Sequence, residues 1–117
     1  MYAGEIDQAG NRYGKGVAFK ENEQSYTISE GFWINGKLTG LGRTFIYIKS
    51  SQRLIFYFGN HKDSKPNGII RHYTPGDLSY TGYFKDLKPN GIGRINCPSG
   101  FSYIGEWKNG DMNGMGI

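Results

Sequence analysis

Large apolar residues and glycines recur along this chain in fixed relation to one another. An aromatic residue, any residue and then glycine occurs at Tyr2-Ala3-Gly4, Tyr57-Phe58-Gly59, Tyr80-Thr81-Gly82 and Tyr103-Ile104-Gly105, and Ser29-Glu30-Gly31 fills the same column with a serine. Two residues after each of these glycines stand Ile6, Trp33, His61, Phe84 and Trp107. A second glycine follows at Gly14, Gly40, Gly68, Gly91 and Gly114, and a third at Gly16, Gly42, Gly93 and Gly116, with Ile70 in that column of the third unit. Self-similarity of this kind marks a repeat architecture, in which each unit buries its apolar face against its neighbours.

The turns inside the units are also legible. Asn35-Gly36 and Asn109-Gly110 are strong two-residue hairpin signals, because a type I′ turn needs positive φ at both central residues. Asp63-Ser64 and Asp86-Leu87 hold the same place with poorer turn chemistry. Each unit therefore predicts two short strands. Units at about 2–25, 26–54, 55–79, 80–102 and 103–117 predict about ten strands in a single domain over residues 1–117. The expected fold class is all-β: an elongated, single-layer antiparallel meander of stacked hairpins with little or no helix. At about 4.8 Å between strands it forms a ribbon of roughly 45–50 Å. Trp107 is expected to stack on Phe84 of the unit before. Because Ile117 stops the chain as its final strand begins, an open sheet edge is expected there, capped by further chain or by a partner.

Two units are longer than the others, and the extra length follows the paired glycines, in KENEQSYTIS and in RTFIYIKSSQRLIFYF. The second hairpins of these units should project beyond the ribbon. The later arm, Phe45-Ile46-Tyr47-Ile48 with Leu54-Ile55-Phe56-Tyr57-Phe58, is apolar at both parities, whereas a half-exposed antiparallel strand alternates. Both of its faces call for cover. It is read as the surface that a partner protein packs on, together with Trp33 and Trp107; the alternative is an arm folded back on its own sheet.

The pattern YxGxW, a short turn and then GxGx resembles the MORN repeat (membrane occupation and recognition nexus) over nearly the whole chain. YTGYFKDLKPNGIGRINCPSGFS and YIGEWKNGDMNGMGI match best, while the second unit departs at its Tyr position and the third at its third glycine. The resemblance implies stacked MORN-type hairpins acting as a structural scaffold for protein-protein interaction. It also implies settings such as the cilium, axoneme and radial spoke, the cytoskeleton, or a membrane junction.

Composition supports strands independently. Gly is 19 of 117 residues, about twice its usual share, and aromatics make up 15%. Glycine disfavours helix interiors, and aromatics suit a pleated surface. The net charge of +4 comes from Lys and Arg scattered without a run, which argues against nucleic acid. A single cysteine, Cys97, excludes an internal disulfide and, with only His61 and His72 beside it, gives no zinc set. A reducing, cytoplasmic location is expected, since the N-terminus lacks a secretory signal and no apolar run reaches membrane-spanning length.

Catalytic chemistry finds little footing. GFWINGKL, Gly31 to Leu38, misses the phosphate-binding loop by one residue, with Leu38 where a hydroxyl is needed. Glu5 and Glu106 read as recurrent surface carboxylates, and His61 as a packing residue in the Trp column. No serine or cysteine has an activating context. Neither a cofactor nor a small-molecule substrate is implied, and the chain is read as a non-enzyme. Arg43, Arg71 and Arg94 form a column after the paired glycines and are candidate anion or lipid contacts. Two functions follow: a scaffold module docking into a multi-subunit assembly, or a module recognising anionic phospholipid such as phosphoinositide, as the regulatory part of a longer enzyme.

Overall fold

The computed structural model describes residues 1–116. They form ten strands: β1 (Tyr2–Ile6), β2 (Arg12–Glu21), β3 (Ser25–Ile34), β4 (Lys37–Ile48), β5 (Arg53–Lys62), β6 (Lys65–Tyr73), β7 (Ser79–Lys85), β8 (Lys88–Asn96), β9 (Ser102–Lys108) and β10 (Asp111–Gly116). All ten lie in one open sheet in chain order, each antiparallel to the next. The sheet measures 51 × 29 × 17 Å, and its radius of gyration of 15.6 Å exceeds the roughly 13 Å of a compact chain this long. The expected single-layer meander is therefore the fold, and no helix occurs among the described residues.

The unit turns explain the hairpin register. Asn35 and Gly36 have φ of 50° and 78°, and Asn109 and Gly110 have 51° and 89°, as a type I′ turn requires. Asp63-Ser64 and Asp86-Leu87 take the same left-handed pair, so the fold imposes the turn even where leucine must hold φ 63°. Turns also tie units together. The backbone N–H of Gly36, Ser64 and Gly110 donates to the carbonyl of Arg12, Leu38 and Pro89 in the preceding unit.

One face of the sheet holds the core. Across the hairpins Gly4 faces Gly16, Gly31 faces Gly42, and Gly82 faces Gly93. Two facing glycines leave a slot free of side chains, and one large side chain lies in it. Tyr2 occupies the first and Tyr80 the fourth, where a methyl group added to Gly16 or Gly93 would overlap the tyrosine ring. In the second unit, which has Ser29 instead of tyrosine, Leu38 fills the slot against Gly31 and Gly42. In the third unit Ile70 itself stands against Gly59. The tyrosine hydroxyl of each regular unit donates to a backbone carbonyl three residues on: Tyr2 to Glu5 (2.8 Å), Tyr80 to Tyr83 (2.9 Å) and Tyr103 to Glu106 (3.1 Å).

The Trp column closes these slots from the next unit. Trp33 Nε1–H donates to the Gly16 carbonyl at 2.9 Å and Trp107 Nε1–H to that of Gly93 at 3.1 Å. Trp33 meets Tyr2 edge-on at 5.6 Å between centroids, and Trp107 meets Tyr80 at 5.3 Å. The partner of Trp107 in this ring contact is thus Tyr80 rather than Phe84, because Tyr80 lies between them and also packs on Phe84. Ile6 shares the column and is 61% exposed on β1, which pairs with β2 at one edge of the sheet.

The longer units lengthen β2 to β5 to between 10 and 12 residues, against 7 for β7. Their extra hairpins lie side by side in the sheet plane: Ser25 pairs with Ile48 and Ile48 with Arg53. The arm neither folds back nor hangs free. Beyond the Phe56–Tyr73 pair, Arg53, Leu54 and Ile55 have no partner strand in β6. At the C-terminal end, β10 is nearly a full strand rather than the start of one, and it pairs with β9 alone. The expectation about Ile117 falls outside the described residues.

Gly93 has ordinary extended backbone, so Gly93→Ala tests the slot alone; it should destabilise the domain by about 1–3 kcal/mol through overpacking. Gly40→Ala, at φ 76° with open space around it, tests backbone strain instead and should lose about 1 kcal/mol. Leu87→Gly should stabilise by about the same amount by relieving its turn. Urea unfolding of the three variants measures all of this, and a Gly93→Ala variant as stable as the unsubstituted domain would argue against the slot.

Candidate functional site

The opposite face of the sheet is uncovered, and it carries most of the exposed apolar side chains. Cross-strand register sorts the predicted arm by face. Thr44 pairs with Tyr57 and Ile46 with Ile55, on the core face with Ile48. Phe45 pairs with Phe56 and Tyr47 with Leu54, on the exposed face with Phe58. The lack of alternation thus has two origins. Ile46, Ile48, Ile55 and Tyr57 extend the core side, and only the other set faces outward.

On that outer face the aromatic rings form ladders. Phe19, Tyr26 and Tyr47 follow one another at 5.9 and 6.1 Å, and Phe45, Phe56 and Tyr73 at 5.0 and 5.9 Å. Around them Ile28, Phe32, Leu54, Phe58 and Ile69 are 39–59% exposed. An apolar surface of this extent is unusual on an isolated domain. Phe19, Tyr26, Ile28 and Tyr73 belong to it although the sequence reading did not include them. Their signal was present, as the apolar positions opposite in parity to the glycine and Trp columns on β2, β3 and β6.

The arm's tips are fixed electrostatically. Lys49 Nζ donates to Glu21 at 2.8 Å and sits 4.6 Å from the Tyr26 ring centroid, while Arg53 pairs with Asp77 in the β6–β7 turn. Hydrogen bonding to Lys49 holds the Glu21 carboxyl below its ordinary value. These exposed pairs link adjacent hairpins, while the backbone ladder sets the plane of the long strands.

Arg43, Arg71 and Arg94 also lie on the outer face and are exposed. They therefore share a surface with the aromatic ladder. Trp33 and Trp107 do not: at 2% and 6% exposure they are core residues, and a partner on the outer face cannot reach them. This corrects their placement among the partner-binding residues, for the reason that each indole is needed to close the preceding slot. Gly31 to Leu38 likewise is an ordinary hairpin whose Leu38 is fully buried. Cys97 is half-buried in the β8–β9 turn, its N–H bonded to the Phe101 carbonyl.

His61 fills the Trp column of the third unit and is 1% exposed. Its Nδ1 lies 2.9 Å from the Gly59 carbonyl, which can only accept, so Nδ1 carries the proton. Nε2 then accepts from the Thr44 hydroxyl at 3.0 Å. This is a neutral imidazole held by one bond within its own strand and one to the preceding unit, and burial pushes its pKa down. His72, stacked on Tyr57 at 4.7 Å, is lowered by burial as well.

No protein-family model matches the chain, and no curated protein matches it.

The two histidines give the fold a pH dependence whose sign follows from linkage. Each binds its proton more weakly folded than unfolded, so their contribution is full above the ordinary value of 6.5 and declines as pH falls below it. Urea midpoints should be level from about pH 8 to 7 and drop between about pH 6.5 and 5. Replacing His61 by Phe with Thr44→Val should remove part of that slope. A midpoint that rises on acidification would contradict the neutral assignment.

Proposed function

We propose that this chain is a MORN-type repeat domain acting as a non-catalytic scaffold module, which binds another protein through its outer aromatic face. The observation that supports this most directly is the pair of aromatic ladders, Phe19–Tyr26–Tyr47 and Phe45–Phe56–Tyr73, left uncovered on one face while the core clusters that join the units lie on the other. Phe45, Tyr47, Leu54, Phe56 and Phe58 form its centre. Aromatic clusters of this kind are where binding energy concentrates in protein interfaces. A ten-stranded ribbon offers length and a rigid spacing, which suits a component of a multi-subunit assembly, and a cytoskeletal or ciliary setting follows from the MORN resemblance.

A second reading is supported by the arginine row on the same face. Arg43, Arg71 and Arg94 would meet the headgroups of an anionic membrane, each contributing about 1 kcal/mol near such a surface.

The scaffold role is tested by crosslinking and affinity purification from the source cell, comparing wild type with Leu54→Glu/Phe58→Glu. Both side chains are exposed, so the variant should fold normally, and recovery of the partner should drop about tenfold or more. Ile6→Glu, exposed at the far end, should change nothing. Equal recovery by all three proteins would refute the proposal. For the membrane role, flotation with phosphoinositide vesicles at two salt concentrations should show binding that weakens with salt and is lost on replacing all three arginines by Glu.

A further inference from the structure

Three shallow depressions on the outer face join into one trough. The first, about 600 Å³, lies among Lys15, Phe32 and Leu41. A smaller one beside Glu30 and Phe58 leads into a third, about 320 Å³, floored by Phe45, Phe56 and Tyr73 between Arg43 and Arg71. Arg43 borders all three. The trough crosses β2 to β6, a span of about 19 Å at ~4.8 Å per strand step.

The charge beside this apolar floor is mostly basic, with Lys15, Arg43 and Arg71 lining it against the single carboxylate of Glu30. Register sets Arg43, Phe58, Arg71, Thr81 and Arg94 in one row across β4 to β8. Arg43 is already engaged, with Glu30 at 3.5 Å and its guanidinium 5.6 Å from the Phe58 centroid. Arg71 and Arg94 make no ion pair among the described residues, and Arg94 Nε bonds only to the Asn96 side chain at 3.3 Å. Two exposed, unneutralised guanidiniums thus stand in line with an aromatic trough.

Given the docking role proposed above, on which this assignment rests, we infer that the trough seats an acidic amphipathic helix of a partner protein, its apolar side on Phe45, Phe56 and Tyr73 and its carboxylates toward Arg71 and Arg94. Guanidinium and carboxylate form bidentate, charge-assisted bonds, and at the rim of an interface they select the partner's sign more than they add affinity. The dimensions fit a helix laid across the strands. About 13 residues span the ~19 Å from β4 to β8, which takes in Phe45, Phe56 and Tyr73 together with Arg71 and Arg94, and the 5.4 Å pitch is close to the strand spacing, so successive turns can place an apolar side chain over successive strands. A second copy of this chain fits poorly: its net charge is +4, and packing two outer faces together sets one arginine row against the other. A bilayer surface would meet the rim but not the half-buried Phe45 and Phe56 below it.

The test is selection from a displayed library of random peptides about 16 residues long, followed by anisotropy with the enriched peptides. Enriched sequences should carry apolar residues at i, i+3, i+4 and i+7 with Asp or Glu flanking them, and should bind Arg71→Glu/Arg94→Glu at least about tenfold more weakly. Raised salt should weaken them too. Enriched peptides that are neutral or basic, or that bind the charge-reversed variant equally, would overturn the acidic assignment; if Leu54→Glu/Phe58→Glu still abolishes their binding, the docking role survives. No enrichment, with binding to phosphatidylserine vesicles instead, would overturn both.

Discussion

A single-layer sheet can have a core only if some side chains lie flat against backbone, and here facing glycines make that possible. Each cross-strand glycine pair opens a slot about one side chain deep. A tyrosine, leucine or isoleucine fills it, and the Trp-column residue of the next unit covers it. Every other feature of the core follows. The tyrosine hydroxyl finds a carbonyl of its own strand, the indole N–H finds the carbonyl of the covered glycine, and buried polar side-chain atoms among the described residues all have partners. Stability is then close to a sum of neighbour interfaces, because each slot is shared only by adjacent units.

The irregular units show the same rule kept by other residues. Where Ser29 is too small, Leu38 reaches across from the next strand; where the third glycine is Ile70, its own side chain occupies the space and Tyr57 is displaced onto His72. His61 stands where its neighbours have tryptophan or phenylalanine, paired with Thr44 so that a smaller, polar ring is still satisfied. The column tolerates chemistry as long as volume and hydrogen bonds are met.

Using one face so completely leaves the other without intramolecular cover. Longer strands in the first two units widen the sheet there, with the widened part held by its backbone ladder and edged by the ion pairs Lys49–Glu21 and Arg53–Asp77. What results is a broad aromatic surface bordered by arginines, on rigid strands rather than on loops. The proposed function rests on this difference between faces, with the units joined on one side and an aromatic surface left uncovered on the other.

The residues by themselves determined the repeat, the strand count, the hairpin turns and the absence of a conventional core, because glycine columns and Asn-Gly turns act locally and recur. They also singled out the 45–58 arm and the arginine column. Which side each residue serves was decided only in three dimensions. Strand alternation puts Tyr47 and Ile48, adjacent in the chain, on opposite faces, and bulges beside Gly4, Gly31, Gly59 and Gly82 shift the parity further along those strands. For the same reason Trp33 and Trp107, which look like exposed aromatic anchors in a sequence, are the covers of glycine slots, while Phe19 and Tyr26 meet Tyr47, and Tyr73 meets Phe56, in two ladders on one face.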